Sequence, residues 1–94
     1  MARVAVVTGG TRGIGEAISV ALKEKGYRVA ANYGGNDAVA AEFTKRTGIR
    51  AYKWDVSDFA QCQQGIKLIE SDLGPVDVLV NNAGITRDGT MHKM

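Results

Sequence analysis

Residues 6–18, VVTGGTRGIGEAI, decide how the chain is read. An apolar, β-branched run leads into a cluster of glycines and out into a segment with helical spacing, and Arg12 is lodged among the glycines. A helix N-terminus offers unpaired N–H groups and a partial positive charge, so it holds a phosphate well wherever the backbone can come close. Glycine permits that approach. Gly9, Gly13 and Gly15 are spaced Gly-x-x-x-Gly-x-Gly, directly after the strand and directly before the helix. The spacing is not the Gly-x-Gly-x-x-Gly of the general dinucleotide fingerprint, and a P-loop is excluded because Lys-Ser/Thr does not follow the glycines. The competing reading is a glycine-rich turn kept for tight packing alone.

Outward from this stretch, apolar runs and helical segments alternate. Residues 3–8 (RVAVVT) predict a buried strand, and Ile14, Ala17, Ile18, Ala21 and Leu22 then recur at helical spacing until Gly26. Residues 28–33 (RVAANY) predict a second strand, 37–47 a helix with Val39 and Phe43 one turn apart, and 50–56 a third strand. Ser57 is the expected N-cap of a helix carrying Phe59, Cys62, Ile66, Ile69 and Leu73. Gly74 and Pro75 end it, and 77–81 (DVLVN) predict a fourth strand apolar enough to be buried on both faces. Three strand–helix units and a fourth strand predict an α/β fold, the N-terminal half of a doubly wound Rossmann-type parallel sheet with strand order 3-2-1-4. Residues 1–94 are then a single, incomplete domain without a linker. In that order the ends of strands 1 and 4 flank the switch point, where open parallel sheets bind ligands. NNAG, residues 81–84, would lie there beside the first glycine cluster; the alternative is that Asn81 and Asn82 stabilise a turn.

Composition narrows the partners. The net charge is +2, and lysines and arginines are interspersed with acids, so no patch for nucleic acid or for a membrane surface is expected. MARVAVV is too short for a signal peptide and no window approaches a membrane span, so the expected address is cytoplasmic. Cys62 is the only cysteine, which excludes an intrachain disulfide and a multi-cysteine metal site; it reads as a small core residue. His92 has no second ligand at helical spacing, and no metal is expected. Trp54 is expected to pack beside the sheet.

TGGTRGIG (8–15), DV (55–56) and NNAG (81–84) together resemble the short-chain dehydrogenase/reductase family, over the whole chain. Within it, RVAANY, YKWDVSD and GPVDVLVNNAGITRDGTMHKM resemble bacterial acetoacetyl-CoA reductases, which supply 3-hydroxybutyryl-CoA for polyhydroxybutyrate synthesis. The 3-oxoacyl-[acyl-carrier-protein] reductases share NNAGITRD. The resemblance implies that the Gly9–Gly15 loop, with Arg12, Gly13 and Ile14, holds a pyrophosphate and that Asp55 and Val56 flank an adenine. It implies that Asn82, Ala83 and Gly84 line the ribose and nicotinamide side, with Asp88 toward the mouth for an acyl-thioester substrate. By their own residue types, Asp55 is an acid at a strand end and Asp88 a loop acid. The family's proton donor is a tyrosine with a lysine four residues on, yet Tyr27, Tyr33 and Tyr52 are followed at that distance by Ala31, Asp37 and Val56. The expectation is therefore the N-terminal part of a longer, homotetrameric enzyme in which no residue of this chain is catalytic. A nucleotide-binding module without chemistry is the alternative of a different class.

Cofactor choice turns on the second strand. NAD-preferring domains place an acid at its end, about 20 residues beyond the glycines, to bond the ribose 2′-hydroxyl. Here Tyr33 holds that place, Gly34 and Gly35 follow, and the first acid, Asp37, comes at a helix start. A missing acid leaves room for a 2′-phosphate, and Arg12 is placed to meet it, unless it is simply a solvated loop arginine. NADP(H) is the expected cofactor, with Arg12, Tyr33 and Gly34 around the extra phosphate.

Overall fold

The computed structural model describes residues 3–82. Strands and helices alternate as β1 (Val4–Val7), α1 (Gly13–Glu24), β2 (Arg28–Tyr33), α2 (Asp37–Thr47), β3 (Arg50–Lys53), α3 (Phe59–Leu73) and β4 (Val76–Val80). They form one parallel sheet in the order β3-β2-β1-β4. The chain steps from β1 to β2 to β3 in one direction and then jumps back across β1 to β4, so the switch point lies between β1 and β4, as expected.

Alternation along the strands divides the core into two layers. Val4, Val6, Ala30, Tyr52, Trp54 and Ile69 pack on one face, with Cys62, Ile66 and Leu73 of α3 against them. Val7, Val29, Ala31, Phe43 and Ile49 pack on the other, beneath Ile18, Val20 and Leu22 of α1. Every residue of β1 is buried, because helices cover both of its faces. Trp54 lies where its size predicts, and it needs Gly65 beneath it: a Cβ at Gly65 would overlap the indole ring. Cys62 is half-buried, with its Sγ 3.3 Å from the Val56 carbonyl.

Several local expectations are corrected. The third strand stops at Lys53, and only the Trp54 N–H continues the ladder, donating to the Tyr33 carbonyl at 3.1 Å. Asp58, not Ser57, caps α3: its Oδ1 accepts from the Gln61 N–H at 3.1 Å, while Ser57 is engaged with Asp55. Phe59 is 75% exposed, because the stripe that meets the core begins one turn later at Cys62. Ile14 is 69% exposed, and Ala17 and Ala21 are exposed too. Ile18 and Leu22 meet the core as expected, and the seam continues through Gly15 and Ser19, small residues that let the helix sit close to the glycine loop. Finally, β4 is only half-buried, with Leu79 at 50%, since it forms the edge of the described sheet. Its register against β1 shifts at Asp77, whose carboxylate accepts the Val4 N–H at 3.0 Å. Among the described residues no helix is long and apolar enough to cross a membrane.

Candidate functional site

The turn after β1 is held by side chains from strands far away in sequence. Asn32, 1% exposed beside the buried Val29, Ala30 and Ala31 of β2, accepts the Gly9 N–H on Oδ1 at 3.2 Å and donates from Nδ2 to the Trp54 carbonyl at 3.0 Å. Its own carbonyl accepts the Gly10 N–H at 3.0 Å. From β4, Asn82 Nδ2 donates to the Gly9 carbonyl at 3.2 Å. The Thr8 hydroxyl lies 3.3 Å from Asn81 Oδ1, and the Thr8 N–H donates to the Val80 carbonyl at 3.0 Å. The ends of β1, β2, β3 and β4 are thus tied around one loop.

Glycine is required at two kinds of position in that loop. Gly9 and Gly13 have φ of 63° and 61°, the left-handed region that costs a residue with a Cβ. Gly10 and Gly15 are close approaches instead: a Cβ on Gly10 would come 2.8 Å from the Ser19 hydroxyl, and one on Gly15 would overlap the Gly9 carbonyl. Ser19 lies 3.1 Å from the Gly10 carbonyl and 2.9 Å from the Gly15 carbonyl, securing the loop to the helix.

The first turn of α1 opens onto this crevice without a side-chain cap: Arg12 occupies the N-cap with extended backbone and no capping bond. By contrast, Asn36 caps α2 and Asp58 caps α3. Uncapped N–H groups and a helix dipole make an anion-binding end. Two cavities flank it. One of about 360 Å³ is lined by Gly9, Asn32, Gly34, Trp54, Asp55 and Val56. The other, about 160 Å³, is lined by Thr11, Arg12, Tyr33, Gly34, Gly35 and Asn36, with Gly9 and Val39. Among the described residues no carboxylate pairs with Arg12.

Electrostatics differ between the two cavities. Asp55 Oδ1 accepts from the Ser57 hydroxyl at 2.7 Å and from its N–H at 2.9 Å, which holds the carboxyl below its ordinary value of 3.8. The Tyr33 hydroxyl donates to Asp37 Oδ1 at 3.0 Å; desolvation, then that carboxylate, pushes the phenol above 10.0, so it stays neutral. The indole N–H of Trp54 is buried without a hydrogen-bond partner in the structure.

Of the residues singled out in the sequence, Gly9, Arg12, Tyr33, Gly34, Asp55 and Val56 therefore line two adjoining cavities, and Gly13, Ile14 and Gly15 begin the helix whose N-cap, Arg12, lines the smaller one. Asn82 reaches the loop through the Gly9 carbonyl. Ala83, Gly84, Asp88 and His92 lie outside the described residues. Sequence reading missed Asn32, Gly10 and Ser19. The signal for Asn32 was available: a lone amide inside a strand buried on both faces needs partners.

The geometry agrees with the comparisons. The family model described as short chain dehydrogenase matches residues 3–94. The acetoacetyl-CoA reductase of Paracoccus denitrificans is 66% identical over 94 residues, all of this chain and 39% of that protein. The 3-oxoacyl-[acyl-carrier-protein] reductase FabG of Staphylococcus aureus is 43% identical over 100 residues, covering all of this chain and 40% of its own length. Among solved structures, a blue fluorescent protein from a metagenomic library in complex with NADPH is 43% identical with a TM-score of 0.80, over 88% of this chain and 36% of that one. The chain spans about two-fifths of the length of the curated relatives it matches. With its glycine loop at the switch point of a 3-2-1-4 sheet, the chain belongs to the short-chain dehydrogenase family, whose members bind nicotinamide cofactors.

Proposed function

We propose that the chain is the cofactor-binding part of an NADPH-dependent reductase that converts a 3-oxoacyl thioester, acetoacetyl-CoA first among them, to the 3-hydroxyacyl thioester. The observation that carries the cofactor choice is the smaller cavity: it has a guanidinium on its wall and no acid among its lining residues. The donor set fits a dinucleotide, because the uncapped start of α1 suits a pyrophosphate and Gly15 lets that helix approach the Gly9 turn where any Cβ would intrude. Arg12 would then meet the 2′-phosphate, Asp55 and Val56 would flank the adenine, and Asn82 would hold the loop against the nicotinamide half. When bound, NADPH supplies the hydride for the 3-keto carbon. None of the chain's three tyrosines has a lysine four residues on, so proton delivery is assigned to no residue of this chain.

Substrate choice rests on the relatives: 66% identity to an acetoacetyl-CoA reductase against 43% to an acyl-carrier-protein reductase favours the CoA thioester. A role in polyhydroxybutyrate synthesis, a cytoplasmic location and a homotetramer follow from the same reading. The test is to assay the complete gene product with NADPH and NADH on acetoacetyl-CoA and on its carrier-protein counterpart. NADPH with acetoacetyl-CoA is expected to give the highest kcat/KM. Arg12→Ala should weaken NADPH by about one to two decades, the worth of a charge-assisted phosphate contact of about 1.5–3 kcal/mol, and leave NADH nearly unchanged. A product that binds NADPH and turns over neither thioester would instead be a nucleotide-binding module.

A further inference from the structure

Asp37 is the acid nearest in sequence to the strand end where a discriminating carboxylate would act, yet it does not line the smaller cavity. Its Oδ1 accepts from the Tyr33 hydroxyl at 3.0 Å, and its Oδ2 lies 3.5 Å from Lys53 Nζ. Tyr33 and Lys53 are register partners on neighbouring strands, so the sheet itself fixes both ends of this chain of contacts. Tyr33 lines the cavity together with Arg12, while Asp37 and Lys53, both exposed, are joined to it only through the Tyr33 hydroxyl.

We propose that Lys53 neutralises Asp37 behind Tyr33, so that the cavity admits a ribose 2′-phosphate despite a carboxylate one hydrogen bond from its wall. The inference rests on the NADP(H) reading and deepens it by naming a pair that sets specificity without lining the cavity. The physical reason is charge balance. A 2′-phosphate carries nearly two negative charges, and an unbalanced carboxylate close by would repel it, whereas the uncharged 2′-hydroxyl of NADH would be little affected. Lys53 cancels that repulsion. The tether also spends the only proton of the Tyr33 hydroxyl on Asp37, so the phenol meets the cavity as wall and acceptor, leaving Arg12 to supply the charged contact.

The test is equilibrium binding of NADPH and NADH to the complete gene product at low ionic strength, for the wild type, Lys53→Met, Asp37→Asn and the double variant. Lys53→Met is expected to weaken NADPH about three- to tenfold relative to NADH, the effect of leaving one exposed carboxylate unbalanced on the Tyr33 hydroxyl. Asp37→Asn alone should tighten NADPH relative to NADH. The double variant, which like the wild type carries no net charge at the pair, should return the ratio to within about twofold of the wild type, and Lys53→Arg in the wild-type background should leave it in place. The shifts should shrink at an ionic strength of about 0.5 M. A ratio indifferent to Lys53→Met, or a double variant as weak toward NADPH as Lys53→Met alone, overturns the proposal; the second result would mean that Lys53 meets the phosphate directly. The wild-type ratio tests the NADP(H) reading by itself, and the cycle tests the pair.

Discussion

Asn32→Ala is the perturbation that bears hardest on the loop. The Asn32 amide serves two backbone groups, the part-buried Gly9 N–H at 3.2 Å and the buried Trp54 carbonyl at 3.0 Å, and the residue is 1% exposed. Truncation leaves the buried Trp54 carbonyl without this donor, at about 1–3 kcal/mol, removes the acceptor of the part-buried Gly9 N–H beside the larger cavity at a smaller cost, and widens that cavity. We expect a loss of about 3 kcal/mol in the complete gene product, measured by urea unfolding, together with weaker NADPH binding because the Gly9 turn loses its tether. Asn32→Asp provides the control. It keeps the acceptor for Gly9 but turns an oxygen toward the Trp54 carbonyl, and burial raises the pKa of the new carboxyl. A group raised in the folded state stabilises it only where it is protonated, so the deficit of this variant should shrink as the pH falls and grow as it rises. A loss below about 1 kcal/mol for Asn32→Ala, with unchanged NADPH affinity, would refute the view that this amide holds the loop.

Two further outcomes follow from the geometry. Gly15→Ala places a Cβ into the Gly9 carbonyl and 2.7 Å from Asn82 Nδ2, whereas Gly34→Ala meets nothing within 4 Å; the first should cost about 1–3 kcal/mol and most cofactor binding, the second little stability, as read by thermal unfolding and NADPH titration. Asp55 is depressed in the folded state by Ser57, so its contribution is present above the unfolded value near 3.8 and is lost as the pH falls through the lower folded value. The stability difference between wild type and Asp55→Asn should therefore be flat from pH 7 to about 5 and narrow on further acidification, a trend that urea midpoints at several pH values would reveal.

The order of elements and the sheet topology were legible because long apolar runs and glycine punctuation act over a few residues. Boundaries that depend on one competing contact were not. Ser57 and Asp58 are equally good caps by type, and Asp58 prevails because Asp55 has already taken both the hydroxyl and the N–H of Ser57. The face of α1 was legible in part: of the expected stripe, Ile18 and Leu22 meet the core, while Ile14, Ala17 and Ala21 are exposed, because the helix approaches the loop closely through the small residues Gly15 and Ser19. Of the cavity residues, Gly9, Arg12, Tyr33 and Gly34 were marked by the glycine cluster or by strand-end position, whereas Asp55 and Val56 came only from the family resemblance. Asp37 and Lys53 were marked by neither, since their relation to Tyr33 passes through strand register and a contact between side chains that lie 16 residues apart.

The contacts also divide labour within the glycine loop. The N–H groups of Thr8, Gly9 and Gly10 all donate inside the protein, to Val80, to the Asn32 side chain and to the Asn32 carbonyl. They cannot also serve an anion without breaking those bonds. An incoming pyrophosphate would therefore be met by the first turn of α1, where Gly13, Ile14 and Gly15 stand uncapped, and Gly9 would contribute its left-handed backbone and bare surface in place of a hydrogen bond. On this argument the amides of Asn32 and Asn82 bond both sides of Gly9 before any ligand arrives. The ordering cost of the loop is then met in folding instead of binding, which is how a preorganised site gains affinity without a further contact.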